Sequence, residues 1–121
     1  MPDPVHVEVA RGVVHLTLSR GPNALDVPLL AALSEALDHW ANHGRPPLLL
    51  TSSHPSVFSP GWDLKQLAEA GRDQVITLLR QFNHVVLQLF SYPGPTAVAV
   101  EGHAVAGGCL LCLACDVRVM A

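Results

Sequence analysis

Two short stretches hold the residues best suited to chemistry. The first is Val57-Phe58-Ser59-Pro60-Gly61-Trp62-Asp63-Leu64-Lys65. Gly61 permits backbone conformations that other residues resist. Trp62 follows it at the entrance to an expected helix, where backbone N–H groups have no partner within the helix. The second is Glu101-Gly102-His103-Ala104-Val105-Ala106-Gly107-Gly108-Cys109, a turn of small residues opening an apolar helix. The N–H groups of Gly107 and Gly108 point out of that helix's positive end, and the absent side chain at Gly107 would let a ligand oxygen approach. The second stretch suits an anion or oxyanion site. Ordinary packing, with Trp62 as an anchor, is the simpler explanation of the first stretch, and packing of a helix on its strand by the glycines explains the second as well as a ligand does.

Other devices are missing. No Lys-Ser or Lys-Thr follows a glycine run, and Gly102, Ala104 and Gly107 do not make a G-x-G-x-x-G. No serine sits in a G-x-S-x-G elbow. His39 and His43 are spaced i, i+4, which would suit two metal ligands, yet no third ligand is evident. Their place at a helix end is favourable for histidine anyway. His84 and His103 are the other histidines with catalytic potential. Cys109, Cys112 and Cys115 are spaced C-x2-C-x2-C without the fourth ligand of an iron–sulfur run, so buried core thiols and no metal are expected.

The elements that would position these loops follow from periodicity. Val5–Val9 and Val13–Ser19 alternate apolar with polar across Arg11-Gly12, which predicts an antiparallel hairpin. Asp26 is a suitable N-cap and Pro28 sits in the first turn of a helix over 27–43, stopped by Gly44 and Pro46-Pro47. Leu48–Thr51 reads as a strand buried on both faces, and 52–61 as a loop. A short helix over 64–70 and a longer one over 73–90 follow, the latter with Val75, Leu78, Leu79, Phe82, Val86 and Leu89 on its apolar stripe. Pro93-Gly94-Pro95 stops it. A buried strand at 96–100, the turn 101–108, a helix at 109–114 and a core strand at 117–120 complete the order. Interleaved strands and helices make the class α/β.

Composition narrows the function classes. Of 121 residues half are apolar and 14% charged, which suits a packed core. The net charge is -3, with the seven Lys and Arg residues scattered singly, so nucleic-acid binding has no electrostatic footprint. Met1-Pro2-Asp3-Pro4 lacks the basic and apolar regions of a secretory signal, and no apolar run approaches a membrane span. A cytoplasmic protein with no membrane partner is the expectation.

Taken together in order, the motifs are more specific. Phe58-Ser59-Pro60-Gly61-Trp62-Asp63-Leu64-Lys65 resembles the crotonase signature F-[SC]-A-G-x-D-[LI]-K. Pro95 to Gly108 resembles that superfamily's P-x-[IV]-A-x-[VI]-x-G-x-A-x-G-G-G, Leu113 to Arg118 its L-A-x-C-D-x-R, and Asn23-Ala24-Leu25-Asp26 the start of its first long helix. The resemblance implies a crotonase-like spiral of ββα units, incomplete at the C-terminus, with residues 1–121 forming the N-terminal part of a single domain. It implies an acyl-CoA thioester substrate with no cofactor beyond the coenzyme A it carries, as in fatty acid metabolism. By position, the carbonyl-holding amides would be those of Trp62 and Gly107. Ala24, Leu25, Ser59, Pro60, Gly61, Asp63 and Leu64 would belong to the substrate-gripping loops. Trimers or hexamers would be expected of a full-length member.

The departures matter as well. Pro60 replaces the usual alanine, and Ala106 the first glycine of the triplet. Leu110 stands where hydratases, which are lyases, carry a catalytic glutamate, so the chain resembles the Δ3,Δ2-enoyl-CoA isomerases more closely. The remaining acid/base residue has no counterpart before Ala121. Two other readings stay open: a non-catalytic module that binds acyl-CoA or a partner chain without turnover, and a family enzyme using His84 or Asp63 instead.

Overall fold

The computed structural model describes residues 3–121. Met1 and Pro2, part of the stretch read above for a secretory signal, lie outside the described residues. Among the described residues no helix is long and apolar enough to cross a membrane.

The expected hairpin forms from β1 (Val5–Ala10) and β2 (Val13–Leu18), paired antiparallel with Val7 opposite Leu16. In β2 the alternation translates into burial of Val14, Leu16 and Leu18. In β1 it does not, because this strand lies at the sheet edge and leaves Val7 and Val9 exposed. β3 (Leu48–Ser52), β5 (Thr96–Val100) and β7 (Val117–Met120) add in parallel, giving the order β1-β2-β3-β5-β7.

Helix α1 (Val27–Ala41) starts where expected. Asp26 is extended and its carboxylate accepts the Leu29 N–H at 3.0 Å, satisfying a donor that the helix cannot. The helix closes at Asn42, slightly before the expected stop. Leu29, Leu30, Leu33, Ala36 and Leu37 face the core. Each fully buried leucine contributes about 1.5–3 kcal/mol by leaving water. Helix α3 (Arg72–Phe90) packs against α1, joined by a 2.7 Å Ser34–Gln88 hydrogen bond. Its core face is Leu78, Phe82, Val85 and Leu89. Leu79, expected in that stripe, is 44% exposed.

Two strands were not anticipated. β4 (Val57–Ser59) interrupts the loop expected over 52–61, and β6 (His103–Ala104) lies within the turn expected over 101–108. They pair with each other in a separate two-stranded sheet. The chain therefore repeats one scheme: a strand in the large sheet, a short strand in the small one, then helix. β3, β4 and α2 (Leu64–Glu69) with α3 form one such unit. β5, β6 and α4 (Gly107–Ala114) form the next. β7 was expected in the core, but as an edge strand it is exposed throughout.

Candidate functional site

The small sheet brings the two chemical loops together. β4 and β6 run parallel, with Val57 opposite His103 and Ser59 opposite Ala104. The Val105 N–H donates to the Ser59 carbonyl at 3.0 Å, extending this pairing. Parallel strands send their next residues the same way, so 60–62 and 105–107 leave side by side. A Cβ on Gly61 would lie 3.0 Å from the Val105 oxygen and 3.1 Å from the Gly107 nitrogen. Gly61 also has φ +86, where L side chains are strained. Both constraints demand glycine.

A buried hydrogen-bond network fixes the first loop from behind. The Asn23 amide donates to Ser52 Oγ at 2.8 Å and to the Phe58 carbonyl at 3.0 Å, while its Oδ1 accepts the Arg20 N–H at 2.9 Å. Asn23 is fully buried with φ +65, a conformation Asn tolerates better than most residues. Ser59 Oγ donates to the Asn23 carbonyl at 2.8 Å, and the Leu25 N–H donates to the Gly61 carbonyl at 2.7 Å. Leu25 and Trp62 form an isolated parallel bridge. Arg20 and Asp26, paired at 2.7 Å, close the same corner. The sequence marks Asn23 only as the first residue of the motif that opens α1. That mark carries no hint of partners 29 and 35 residues away.

The second loop enters α4 through Ala106, at φ 50 and ψ −117, a conformation almost restricted to glycine. Gly108 seats the helix on the first loop: a Cβ there would fall 2.3 Å from the Ser59 oxygen. Gly107 departs from expectation. Its missing side chain does not open toward a ligand, because a Cβ would meet Leu25 Cδ1 at 2.8 Å and Phe82 at 3.4 Å. The glycine makes room for the core. At the far end of α4, the Thr96 N–H donates to Asp116 Oδ2 at 3.0 Å and the Asp116 N–H to Thr96 Oγ1 at 2.9 Å. Arg118 donates to the Cys115 carbonyl at 2.8 Å, satisfying an acceptor at the helix C-terminus.

Trp62 and Gly107 border one open cavity of about 540 Å3, with Ala106, Leu79, Phe82, Asn83, Cys109 and Leu110. Neither the Trp62 nor the Gly107 N–H finds an acceptor among the described residues. The Trp62 ring is set edge-on to Phe82, centroids 4.8 Å apart at 65°. Among the described residues no carboxylate and no imidazole lines this cavity.

The remaining predicted residues fall in several places. Leu25 and Ser59 have no exposed side-chain surface, so they support the loops and do not reach solvent. Gly61 is buried and Ala24 half-buried. Asp63 caps α2, accepting the Gln66 N–H at 3.1 Å. Pro60 is exposed and Leu64 is 76% exposed, and neither lines the cavity. His84 and His103 are exposed and also lie outside its lining.

His39 and His43 stack on each other, ring centroids 4.2 Å apart. The described residues contain no cluster of three His, Cys, Asp or Glu side chains able to hold a metal. Cys112 and Cys115 are core thiols as expected, and burial pushes them up to about 11 and about 12 respectively. Cys109 is instead exposed, because it sits in the first turn of α4 on the cavity side.

Known proteins share this arrangement. The family described as enoyl-CoA hydratase/isomerase matches residues 8–121. Mouse mitochondrial methylglutaconyl-CoA hydratase is 36% identical over 117 residues, covering 94% of this chain and 37% of that protein. Human mitochondrial enoyl-CoA hydratase domain-containing protein 3 is 31% identical, over 98% of this chain and 40% of that protein. The crystal structure of an enoyl-CoA hydratase from Bacillus anthracis superposes with a TM-score of 0.91 at 29% identity, covering 97% of this chain and 47% of that one. The chain thus spans between a third and a half of the length of these relatives. With its crotonase fold and its match from residue 8 to residue 121, the chain belongs to the enoyl-CoA hydratase/isomerase family.

Proposed function

We propose that this chain binds acyl-CoA thioesters and holds the thioester carbonyl oxygen between the Trp62 and Gly107 amides. One observation carries the reading: Trp62 and Gly107 border the same cavity, and neither N–H has an acceptor among the described residues. Removing a proton from a carbon conjugated with the thioester moves negative charge onto the carbonyl oxygen. Donors fixed in advance stabilise that charge more than the neutral ground state. Each such donor is worth about 2.7–4 kcal/mol of barrier. Gly107, at the first position of an apolar helix, adds the helix dipole.

The favoured reaction is movement of a double bond toward the thioester, which relocates one proton and adds no water. Leu110, 48% exposed on the cavity, supports it, because a leucine at that place cannot activate water. The relatives named above are called hydratases, so the full-length protein decides the matter. Its rates on 3-enoyl-CoA isomerisation and 2-enoyl-CoA hydration should differ in favour of isomerisation; equal or faster hydration would reject the preference. Tighter binding of acetoacetyl-CoA, which ionises to an enolate, than of butyryl-CoA would support the paired donors.

A second reading is binding without turnover. It is favoured by the lack of a carboxylate or imidazole on the cavity among the described residues. Acyl-CoA binding by the full-length protein with no exchange of substrate protons in deuterated water would establish it.

A further inference from the structure

We propose that the Trp62 side chain, braced by Phe82, is the wall that limits the acyl group to a short chain. The inference rests on the reading of Trp62 and Gly107 as carbonyl holders, and it adds the size of the acyl group. Covalent geometry supplies the first step. No part of an indole lies farther than about 7 Å from its own backbone nitrogen. If that nitrogen holds the carbonyl oxygen, the first few acyl carbons lie within reach of the ring, because Trp62 borders the same cavity.

The second step is the ring's support. Trp62 and Phe82 come from different elements, the turn before α2 and the middle of α3, and meet edge-to-face. Trp62 is half-buried against the core and Phe82 is buried, so neither swings freely. Such a pair is favourable beyond its buried area. Leu79 and Leu110 complete an apolar surround, with Asn83 the one amide side chain on it.

The third step is what lies beyond. A second cavity, about 350 Å3, begins one turn earlier on α3 and is lined by Val27, Leu67, Val75 and Leu78 among others. Leu78 and Phe82 are neighbours at i, i+4 on α3, so the two cavities occupy successive turns. Shortening Trp62 gives a longer acyl chain apolar room in that direction.

The test uses the direction of the hydrophobic gradient. In an open apolar cleft each added methylene favours binding by about four-fold. A preference for short chains against that gradient requires a barrier. In the full-length protein, kcat/KM should favour four-carbon over ten-carbon enoyl-CoA by ten-fold or more. Trp62→Ala should lower this ratio at least ten-fold, while Trp62→Phe should keep most of it. Phe82→Leu, a milder change, should also lower the ratio. A ratio unchanged within two-fold in Trp62→Ala and Phe82→Leu, or a native preference for ten carbons, overturns the wall while leaving the acyl-CoA reading intact. Failure of the unmodified protein to bind either thioester overturns both.

Discussion

Replacing Gly108 with alanine tests how the packing of one helix sets the geometry of the site. The new Cβ would lie 2.3 Å from the Ser59 carbonyl oxygen and 2.8 Å from Ser59 Cβ. Carbon–oxygen contacts begin at about 3.3 Å, so the first loop and α4 must separate by about 1 Å. Neither side yields cheaply. The obstacle is backbone, and Ser59 is tied to Asn23, Gly61 and Val105 by hydrogen bonds. Overpacking of this kind costs about 1–3 kcal/mol. Alanine's better helix propensity returns at most about 1 kcal/mol. The sign is therefore destabilising, with a net loss of about 1–2 kcal/mol in urea unfolding of the full-length protein. The effect on turnover should be larger. Trp62 lies three residues beyond Ser59 and Gly107 immediately precedes the substitution, so separating the segments pulls the two amides apart. A misplacement of about 1 Å can cost on the order of a hundred-fold in rate. A Gly108→Ala protein with unchanged unfolding midpoint and unchanged kcat would refute both the contact and the coupling drawn from it.

Other substitutions probe single features. Ala106→Gly should raise stability by about 1 kcal/mol, since strain of about 1–3 kcal/mol at φ 50 exceeds the entropic penalty of glycine; a lowered melting temperature would contradict that conformation. Asn23→Ala should lose about 3 kcal/mol or more, because it strands the Phe58 carbonyl and the Arg20 N–H and puts alanine at φ +65. Asn23→Gly should recover about 1 kcal/mol of that loss, and equal losses in the two variants would show that the left-handed backbone contributes nothing. In the folded chain an aromatic disulfide reagent should modify Cys109 quickly and reach Cys112 and Cys115 only after unfolding. The same two buried thiols give a pH dependence. Their folded pKa values are raised to about 11 and about 12, so the unfolded chain loses protons first as pH rises. Their contribution to stability should be complete below about pH 9 and fall as pH rises toward 11–12. A flat unfolding profile in that window in comparison with a Cys112→Ala, Cys115→Ala variant would reject it.

The helices and the long strands were legible because their signals are local. Asp26 and Pro28 mark the start of α1, and Leu30, Leu33 and Leu37 repeat on its inner face. The α/β class and the ββα spiral implied by the motifs both hold in the structure and in its solved neighbours. β4 and β6 escaped because three and two residues cannot display a period, and each exists only by pairing with the other. Those same strands place the two loops side by side, so the part of the fold that builds the site was the part least visible in the sequence. Ala106 was half visible: it stands where the motif has a glycine, although alanine itself does not announce a glycine-like backbone. Exposure misled at Cys109, Leu79 and β7, where apolar character comes without burial in the described residues.

β7 has a practical consequence for anyone handling the chain. Val117, Val119 and Met120 meet water on a strand whose outer row of peptide groups has no neighbour in the described sheet. A bare ladder of this kind is a template on which other chains can lay down strands. Residues 1–121 handled by themselves at high concentration should associate through this flank, and one charged replacement at Val119 should reduce that association.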